Sequence, residues 1–296
     1  TAPGPFYEKK YTCPVCRMMF SSLAVRSSAI YAQTRETDLH VIYRGISPLH
    51  YSIVVCPACK YAASSNIFAQ ELPRHTLQQL TNALSLLPAP ELNYCGERDL
   101  STVMAGMQLA IRCAQLRKAD HGELAGLILA AAWIAREARE DELEHNYLKE
   151  ALQQYLQAFE KSSAHIGNLN DVQAAYLIGE LYLRIGNYAE AINWFNRVIV
   201  HPMIKENAAF EKMARSQWAE AREKAKSNPA VPTPNEAEKP TAPQSAAAPP
   251  DKEEIRPTVK KVHREAAMLM PVHLYPEQIE WLNHIVNSGY DSSKSL

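Results

Sequence analysis

Residues 174–195, AAYLIGELYLRIGNYAEAINWF, carry the strongest structural signal in this chain of 296 residues. Apolar residues recur at three- and four-residue spacing on both sides of Gly186, a pattern that predicts two helices joined by a short turn. Small residues at Gly179 and Ala191 allow two antiparallel helices to approach closely, while the large residues fill the seam to neighbouring helices. Because one such pair cannot bury its outer faces, the stretch predicts a mainly α-helical fold of several stacked helices.

The same stretch resembles the tetratricopeptide repeat. Gly179 and Tyr182 match the small and aromatic positions of its first helix, and Gly186 and Tyr188 match its turn. The remaining matches lie in the second helix and at its end: Ala191, Phe195, Val198 and Pro202. The resemblance implies a tetratricopeptide-like helical array.

A weaker copy of the pattern precedes the first. Ala151, Tyr155 and Ala158 repeat the second-helix positions 40 residues earlier, whereas the usual period of the repeat is about 34 residues. Further helices are predicted around these two copies, over residues 101–116, 123–139 and 205–226. We therefore assign residues 73–226 to one helical domain.

Two Cys-Pro-x-Cys segments lie near the amino-terminal end, and their thiols belong to Cys13, Cys16, Cys56 and Cys59. Two such pairs are typical of a tetrahedral Zn²⁺ site, and thiolates also suit an iron–sulfur centre. Four cysteines leave no open coordination position, so the predicted Zn²⁺ is structural. Two alternatives remain open. A redox motif normally has one Cys-x-x-Cys at the start of a helix, and structural disulfides are typical of secreted chains that are richer in cysteine.

The 39 residues between the two pairs leave room for an additional hairpin. Residues 41–43 and 51–55 are β-branched and aromatic runs that predict strands, with Gly45 and Pro48 in the turn between them. We therefore assign residues 1–72 to a small β-containing, zinc-ribbon-like domain.

Three further residues near the cysteines bear on the geometry and the ligand set of the predicted site. Arg17 and Lys60 follow the two Cys-Pro-x-Cys segments, at a position where glycine is common because it tolerates positive φ. Arg17 and Lys60 depart from this pattern, so the spacing assigns the ligands and leaves the knuckle geometry open. His50, six residues before Cys56, is a minor ligand candidate beside four cysteines.

Composition excludes several classes of protein. A net charge of −1 and 47% hydrophobic residues are ordinary for a globular chain and give no global basic signature. No apolar run approaches the length of a membrane span. Glycine-rich phosphate loops, the nucleophile elbow and the zincin helix are all absent, so we expect no enzyme and no small-molecule substrate. Six cysteines with no leader in front predict a reducing, cytoplasmic location.

The carboxy-terminal part has a different character. Residues 227–257 are rich in Pro, Ala, Glu and Lys and predict a disordered linker. Residues 258–296 resemble part of a ribbon-helix-helix DNA-binding module, since an alternating run at 268–274 is followed by a predicted helix. The basic run and the ribbon face supply candidate DNA contacts at Lys260, Lys261, Arg264 and His273.

Several segments together resemble one bacterial family of unknown function, DUF2225. They are the two cysteine pairs, YCGERDL at 94–100, the repeat around 179–198 and MARSQW at 213–218. The resemblance covers residues 10–226 and implies a metal-bound amino-terminal unit followed by tetratricopeptide-like helices. It implies no biochemical activity.

These features together predict a non-catalytic, zinc-binding cytoplasmic adaptor that holds a protein or peptide partner. Repeat arrays bind partners on a concave face lined by their first helices, and the residues expected there are Gln173, Tyr176, Glu180 and Arg184. The alternative is a DNA-binding transcriptional regulator that uses the carboxy-terminal segment, the zinc ribbon or both.

Overall fold

Three antiparallel hairpins form the amino-terminal end of the computed structural model, which describes residues 4–86, 92–161 and 165–227. The first hairpin pairs β1 (Phe6–Thr12) with β2 (Met19–Val25). The second pairs β3 (Ala32–Arg35) with β4 (Val41–Tyr43), and the third pairs β5 (Ile53–Val55) with β6 (Ala62–Ser64). Each Cys-Pro-x-Cys segment connects the two strands of an outer hairpin, β1–β2 or β5–β6.

The strands predicted between the cysteine pairs are confirmed in part. The run at 41–43 is β4, whereas the run at 51–55 is a strand only from Ile53 onward. Its start is replaced by a 3₁₀ turn, Pro48–Tyr51, which begins with a proline. Gly45 has φ +86°, a value that glycine adopts without strain. The segment between the cysteine pairs therefore contains a complete hairpin flanked by two 3₁₀ turns, Ser27–Ala29 and Pro48–Tyr51.

Seven α-helices follow within the described residues, and side chains of Asp99, Asp120, Asn170 and Asn187 cap the starts of four of them. They are α1 (Arg74–Leu84), α2 (Leu100–Leu116), α3 (His121–Glu137), α4 (Asp141–Lys161), α5 (Asp171–Arg184), α6 (Tyr188–Ile199) and α7 (Ala208–Ser227). A small hairpin of β7 (His165–Ile166) and β8 (Leu169–Asn170) separates α4 from α5. The predicted helices are confirmed, with ends that differ by a few residues.

The close approach predicted within the repeat occurs between α5 and α6. A Cβ atom placed on Gly179 would lie 2.9 Å from Cε1 of Phe195, so only glycine allows this contact without a shift. Ala191 and Phe195 are completely buried. The turn between the helices contains Gly186 with φ +84°. The small residues therefore have the packing role that the sequence predicted for them.

The earlier copy of the pattern lies on α4, where Ala151, Tyr155 and Ala158 are all buried. This helix packs against both α3 and α5, and α6 packs against α7. A continuous run of helix contacts thus extends from α2 to α7, and the outer helices cover faces that α5 and α6 alone would leave exposed.

The hairpins pack directly onto the helices. Strands β5 and β6 contact α2, where Cγ2 of Val55 lies 3.5 Å from the Cβ position of Gly106. The Ala62 amide donates to Sγ of Cys113 at 3.4 Å. All described residues fall within one compact unit, which includes the described parts of both segments, 1–72 and 73–226.

The predicted linker after Ser227 and the ribbon-helix-helix-like segment at 258–296 lie outside the described residues. Within the described part, no helix combines the length and the apolar character that crossing a membrane requires.

Candidate metal centre

The two cysteine knuckles have the same backbone geometry. The Arg17 amide donates to the carbonyl of Cys13, and the Lys60 amide donates to the carbonyl of Cys56, both at 2.9 Å. Arg17 and Lys60 have φ values of 64° and 65°, in the left-handed region that glycine occupies in many such knuckles. The departure from glycine at these positions therefore leaves the turn intact.

These turns bring all four predicted ligands together. Sγ of Cys13 lies 3.5 Å from Sγ of Cys59, and Sγ of Cys16 lies 3.5 Å from Sγ of Cys56. All four sulfur atoms lie within 4.8 Å of one another, and every cysteine is a free thiol. A Zn–S bond of about 2.3 Å places tetrahedral sulfur atoms about 3.8 Å apart. The cluster therefore has the dimensions that a single metal ion requires.

A cluster of aromatic rings packs next to the two knuckles. Phe68 is completely buried and contacts the rings of Tyr11, Phe20 and Tyr61 at centroid distances between 5.2 and 5.8 Å. Tyr11 and Phe20 face each other across the first hairpin, and Tyr61 follows the second knuckle. Because these rings connect the β1–β2 hairpin to the β5–β6 hairpin, they fix the position of one cysteine pair relative to the other.

The four thiols have unequal access to solvent, and the pKa values of Cys13, Cys56 and Cys59 are shifted. Cys13 and Cys56 are completely buried, while Cys16 is exposed. The hydrogen bond with Cys13 lowers the pKa of Cys56 and raises the pKa of Cys59. Thiolates this close repel one another, so a bound cation is needed before all four ionise. The donor set thus fits a divalent metal ion.

The other candidate ligands lie outside this cluster. Nε2 of His50 contacts Oε2 of Glu137 at 2.5 Å, so His50 belongs to a different set of contacts. Cys113 is buried, and burial raises its pKa to about 11, consistent with the small apolar role expected of a buried cysteine. Cys95 is half-buried and does not belong to the cluster.

A second set of contacts lies where the hairpins meet the helices, around residues 36–40, hereafter the docking loop. The docking loop connects β3 to β4 and is closed by a hydrogen bond of 2.7 Å from the Glu36 amide to the His40 carbonyl. Leu39, at its tip, has φ 74° and packs against the apolar core formed by α5, α6 and α7. The docking loop thus joins the hairpins to the second half of the helical array.

Asp38 is the most deeply buried charge of the docking loop. Its side chain has no exposed surface, and Oδ2 accepts hydrogen bonds from Arg136 at 2.6 Å and from Trp133 at 3.1 Å. Arg184 on α5 lies 3.3 Å from the same oxygen. Burial opposes ionisation, but the two arginines outweigh it and lower the pKa of Asp38. The carboxylate therefore links α3 to α5 through the docking loop.

His40 lies between two carboxylates. Its Nδ1 contacts Glu36 at 2.8 Å, its Nε2 contacts Glu137 at 3.0 Å, and its ring stacks on Trp133. Only an imidazolium can donate from both nitrogens. Burial alone would lower the pKa of His40, but the two carboxylates raise it. Burial likewise opposes ionisation of Glu137, yet hydrogen bonds from His40 and His50 lower its pKa to about 2.

The structure corrects the expected partner groove. Tyr176 and Glu180 are only 0% and 2% exposed. The Tyr176 ring packs against Phe195 of α6 and Phe210 of α7, and the docking loop covers its hydroxyl and Glu180. The Tyr176 hydroxyl donates to the Thr37 carbonyl at 2.8 Å, and the Thr37 hydroxyl donates to Glu180. Arg184 contacts the same loop. Gln173 completes the capping box at the start of α5. The first-helix face predicted for a partner is therefore occupied by the chain itself.

Sequence reasoning missed the docking loop altogether. Its partners lie on α3 and α5, about 100 and 140 residues away, and no spacing rule connects them. The one local signal is the sequence ETDLH at 36–40, which places three titratable groups in a single short loop. The predicted DNA contacts, Lys260, Lys261, Arg264 and His273, lie outside the described residues.

Comparisons with known proteins give one match. The model of a family described as an uncharacterized protein conserved in bacteria, DUF2225, matches residues 6–221. No curated protein and no solved structure matches the chain. The matched range includes both cysteine pairs and nearly all of the helical array, in agreement with the resemblance found in the sequence. The chain therefore belongs to the bacterial family DUF2225.

Proposed function

We propose that the protein is a non-catalytic, zinc-binding adaptor of the bacterial cytoplasm. The observation that carries the proposal is the closed set of four sulfur atoms within 4.8 Å of one another. Four cysteine ligands satisfy a tetrahedral Zn²⁺ ion completely, so no position is left for water or substrate. A metal held in this way stabilises a fold and leaves recognition to the protein surface.

The helical part supports the adaptor role. The contact between Gly179 and Phe195 and the buried Ala191 are the packing features of a tetratricopeptide-like pair. Arrays of such pairs commonly present extended surfaces to protein or peptide partners. Because the docking loop covers Tyr176 and Glu180, we place the partner contact elsewhere on the array when the loop is seated.

Metal analysis tests the first half of this function. Elemental analysis of the full chain, purified from a bacterial cytoplasm without added metal, should find one Zn²⁺ per chain. If iron and acid-labile sulfide are found, the site is an iron–sulfur centre and not a zinc site. If the protein contains no metal and its four thiols are reactive, the proposal is wrong.

A binding measurement tests the second half. Proteins captured by the metal-loaded full chain would be purified, and each would be titrated against that chain. A saturable complex that forms with the loaded chain supports the adaptor role. The adaptor role is lost when none of the purified candidates binds directly.

A DNA-binding regulator is the second candidate. The observation that favours it is a set of basic side chains on the first hairpin and the knuckles: Lys9, Lys10, Arg17 and Lys60. Contacts to phosphates through such groups weaken steeply with salt. A mobility shift of the full chain on duplex DNA that disappears between low and physiological salt would support this candidate, and no shift at low salt would exclude it.

A further inference from the structure

We propose that metal binding at the four cysteines and seating of the docking loop on the helices are one coupled equilibrium. In the metal-loaded protein, the docking loop closes the helical face formed by Trp133, Arg136, Tyr176 and Arg184. Loss of the metal opens that face. This inference rests on the proposed metal site and adds to it a regulation of access to the array.

Chain connectivity provides the first argument. Cys16 and Cys56 are 40 residues apart in sequence, yet their sulfur atoms lie 3.5 Å apart. A metal ion that binds both closes a loop of the chain, and the docking loop lies inside it. Closing a loop removes conformational freedom from every residue within it. The metal therefore restricts the docking loop before the loop contacts any helix.

Short connections transmit this restriction. The hairpin that carries the docking loop is joined to β2 through the 3₁₀ turn Ser27–Ala29 and to β5 through the 3₁₀ turn Pro48–Tyr51. The Arg44 amide donates to the Tyr31 carbonyl at 2.9 Å and closes the base of the hairpin. Because both neighbours of this hairpin carry a cysteine knuckle, the position of the hairpin depends on the ordered knuckles.

The docking loop contacts the helices mainly through ion pairs, so a small change in free energy can decide whether it is seated. Its charged groups are Glu36, Asp38 and His40, and the groups facing them are Arg136 and Glu137 on α3, Glu144 on α4, Glu180 and Arg184 on α5, and His50. Buried ion pairs contribute little net stabilisation, since their electrostatic attraction is offset by the cost of removing the charges from water. Leu39 is the one apolar side chain of residues 36–40. Prior ordering by the metal can therefore decide whether the docking loop is seated.

Coupling of this kind is reciprocal. If the metal favours the seated loop, then the seated loop must raise the affinity for the metal by the same factor. Thermodynamic coupling between two sites in a protein commonly amounts to a factor of about 5 to 150. A substitution in the docking loop should therefore weaken zinc binding, although no docking-loop residue is a ligand.

The test uses the full chain and Zn²⁺ alone. Zinc affinity would be measured by competition with a chelating dye for the wild type and for Asp38→Asn and Thr37→Ala. The control is Glu211→Gln, which removes an exposed contact with Arg215 on α7. Amide hydrogen exchange at residues 36–40 and along α5 would be followed with and without Zn²⁺.

We expect Zn²⁺ to slow exchange at residues 36–40 and along α5. Asp38→Asn should weaken zinc binding about 5- to 150-fold, Thr37→Ala should weaken it less, and Glu211→Gln should leave it unchanged. If Asp38→Asn loses its helical circular dichroism signal, that variant is unfolded, and the zinc affinity of Thr37→Ala then tests the coupling. One zinc per chain with unchanged affinity in these variants overturns the coupling and leaves the metal site intact, whereas a chain that binds no zinc removes both proposals.

Discussion

The four-cysteine cluster and the docking-loop contacts both join residues that are far apart in sequence, but the sequence encodes them in different ways. The cluster is assembled from two local turns, and each turn positions its own two sulfur atoms through backbone hydrogen bonds. The docking-loop contacts are assembled from side chains on α3, α4 and α5, none of which is positioned by its sequence neighbours alone. A ligand set is thus visible as a spacing, whereas a charge network becomes visible only once the fold is known.

The two regions also differ in what stabilises them. The thiolates repel one another and require a cation, so the free energy of the cluster depends on a bound metal. The docking loop contributes carboxylates and a histidine, and Arg136 of α3 and Arg184 of α5 neutralise its carboxylates inside the protein. We therefore expect substitutions in the first region to remove metal ligands, and those in the second to destabilise the fold and to weaken metal binding only through the coupling proposed above.

The largest effect is expected when one ligand is removed from each knuckle. Cys16→Ser combined with Cys59→Ser should abolish metal binding and unfold the hairpins, since structural zinc contributes on the order of 10 kcal/mol in small metal-dependent folds. Metal content and near-ultraviolet circular dichroism would be measured. Cys95→Ser is the matched control, because Cys95 lies outside the cluster. A double variant that kept a full complement of metal would contradict the assignment of these ligands.

Asp38→Asn should produce the next largest effect. The substitution removes the charge that faces Arg136 and Arg184, and breaking a buried pair costs about 3–5 kcal/mol. The free energy of unfolding would be measured in urea with saturating Zn²⁺. The exposed pair of Glu211 and Arg215 supplies the control, since Glu211→Gln should cost less than about 1 kcal/mol. Equal effects of the two substitutions would show that the docking loop does not stabilise the fold.

Gly179→Ala tests the packing of the helical array with a smaller effect. The new Cβ would lie 2.9 Å from the Phe195 ring, and overpacking of this kind costs about 1–3 kcal/mol. Gly126→Ala is the matched control on α3, where no atom lies within 4 Å of the new Cβ. There alanine should stabilise the helix by roughly 1 kcal/mol. Thermal unfolding of both variants would show opposite shifts, and two shifts of the same sign would contradict the close contact.

Features that depend on local sequence could be predicted, whereas contacts between distant side chains could not. The close approach at Gly179 and the turn at Gly186 could be predicted because helical periodicity and small residues are local properties of the sequence. The four ligands could be predicted from the spacing of Cys13 with Cys16 and of Cys56 with Cys59. The closure of the face at Tyr176 could not be predicted, because it depends on how the hairpins pack on the helices.

The smallest expected effect is a change of the unfolding free energy with pH, which arises from the charged contacts of the docking loop. The pKa of His40 is raised by Glu36 and Glu137, so its imidazolium stabilises the fold below the unfolded pKa of about 6.5 and loses this contribution as pH rises through the folded value. Glu137 acts in the opposite direction. Its pKa of about 2 adds stability above the unfolded value near 4.5, and this contribution is lost as pH falls towards 2.

The contribution of His40 can be isolated by comparing the wild type with His40→Gln from pH 5 to pH 8.5. Each unit by which the folded pKa exceeds the unfolded one corresponds to about 1.4 kcal/mol. Both carboxylates remain partly exposed, so water reduces the effect. The difference in unfolding free energy should be largest at pH 5 and should shrink as pH rises. A difference that stays constant with pH would show that His40 acts through its stacking on Trp133 and its shape, because only the charge is lost on titration.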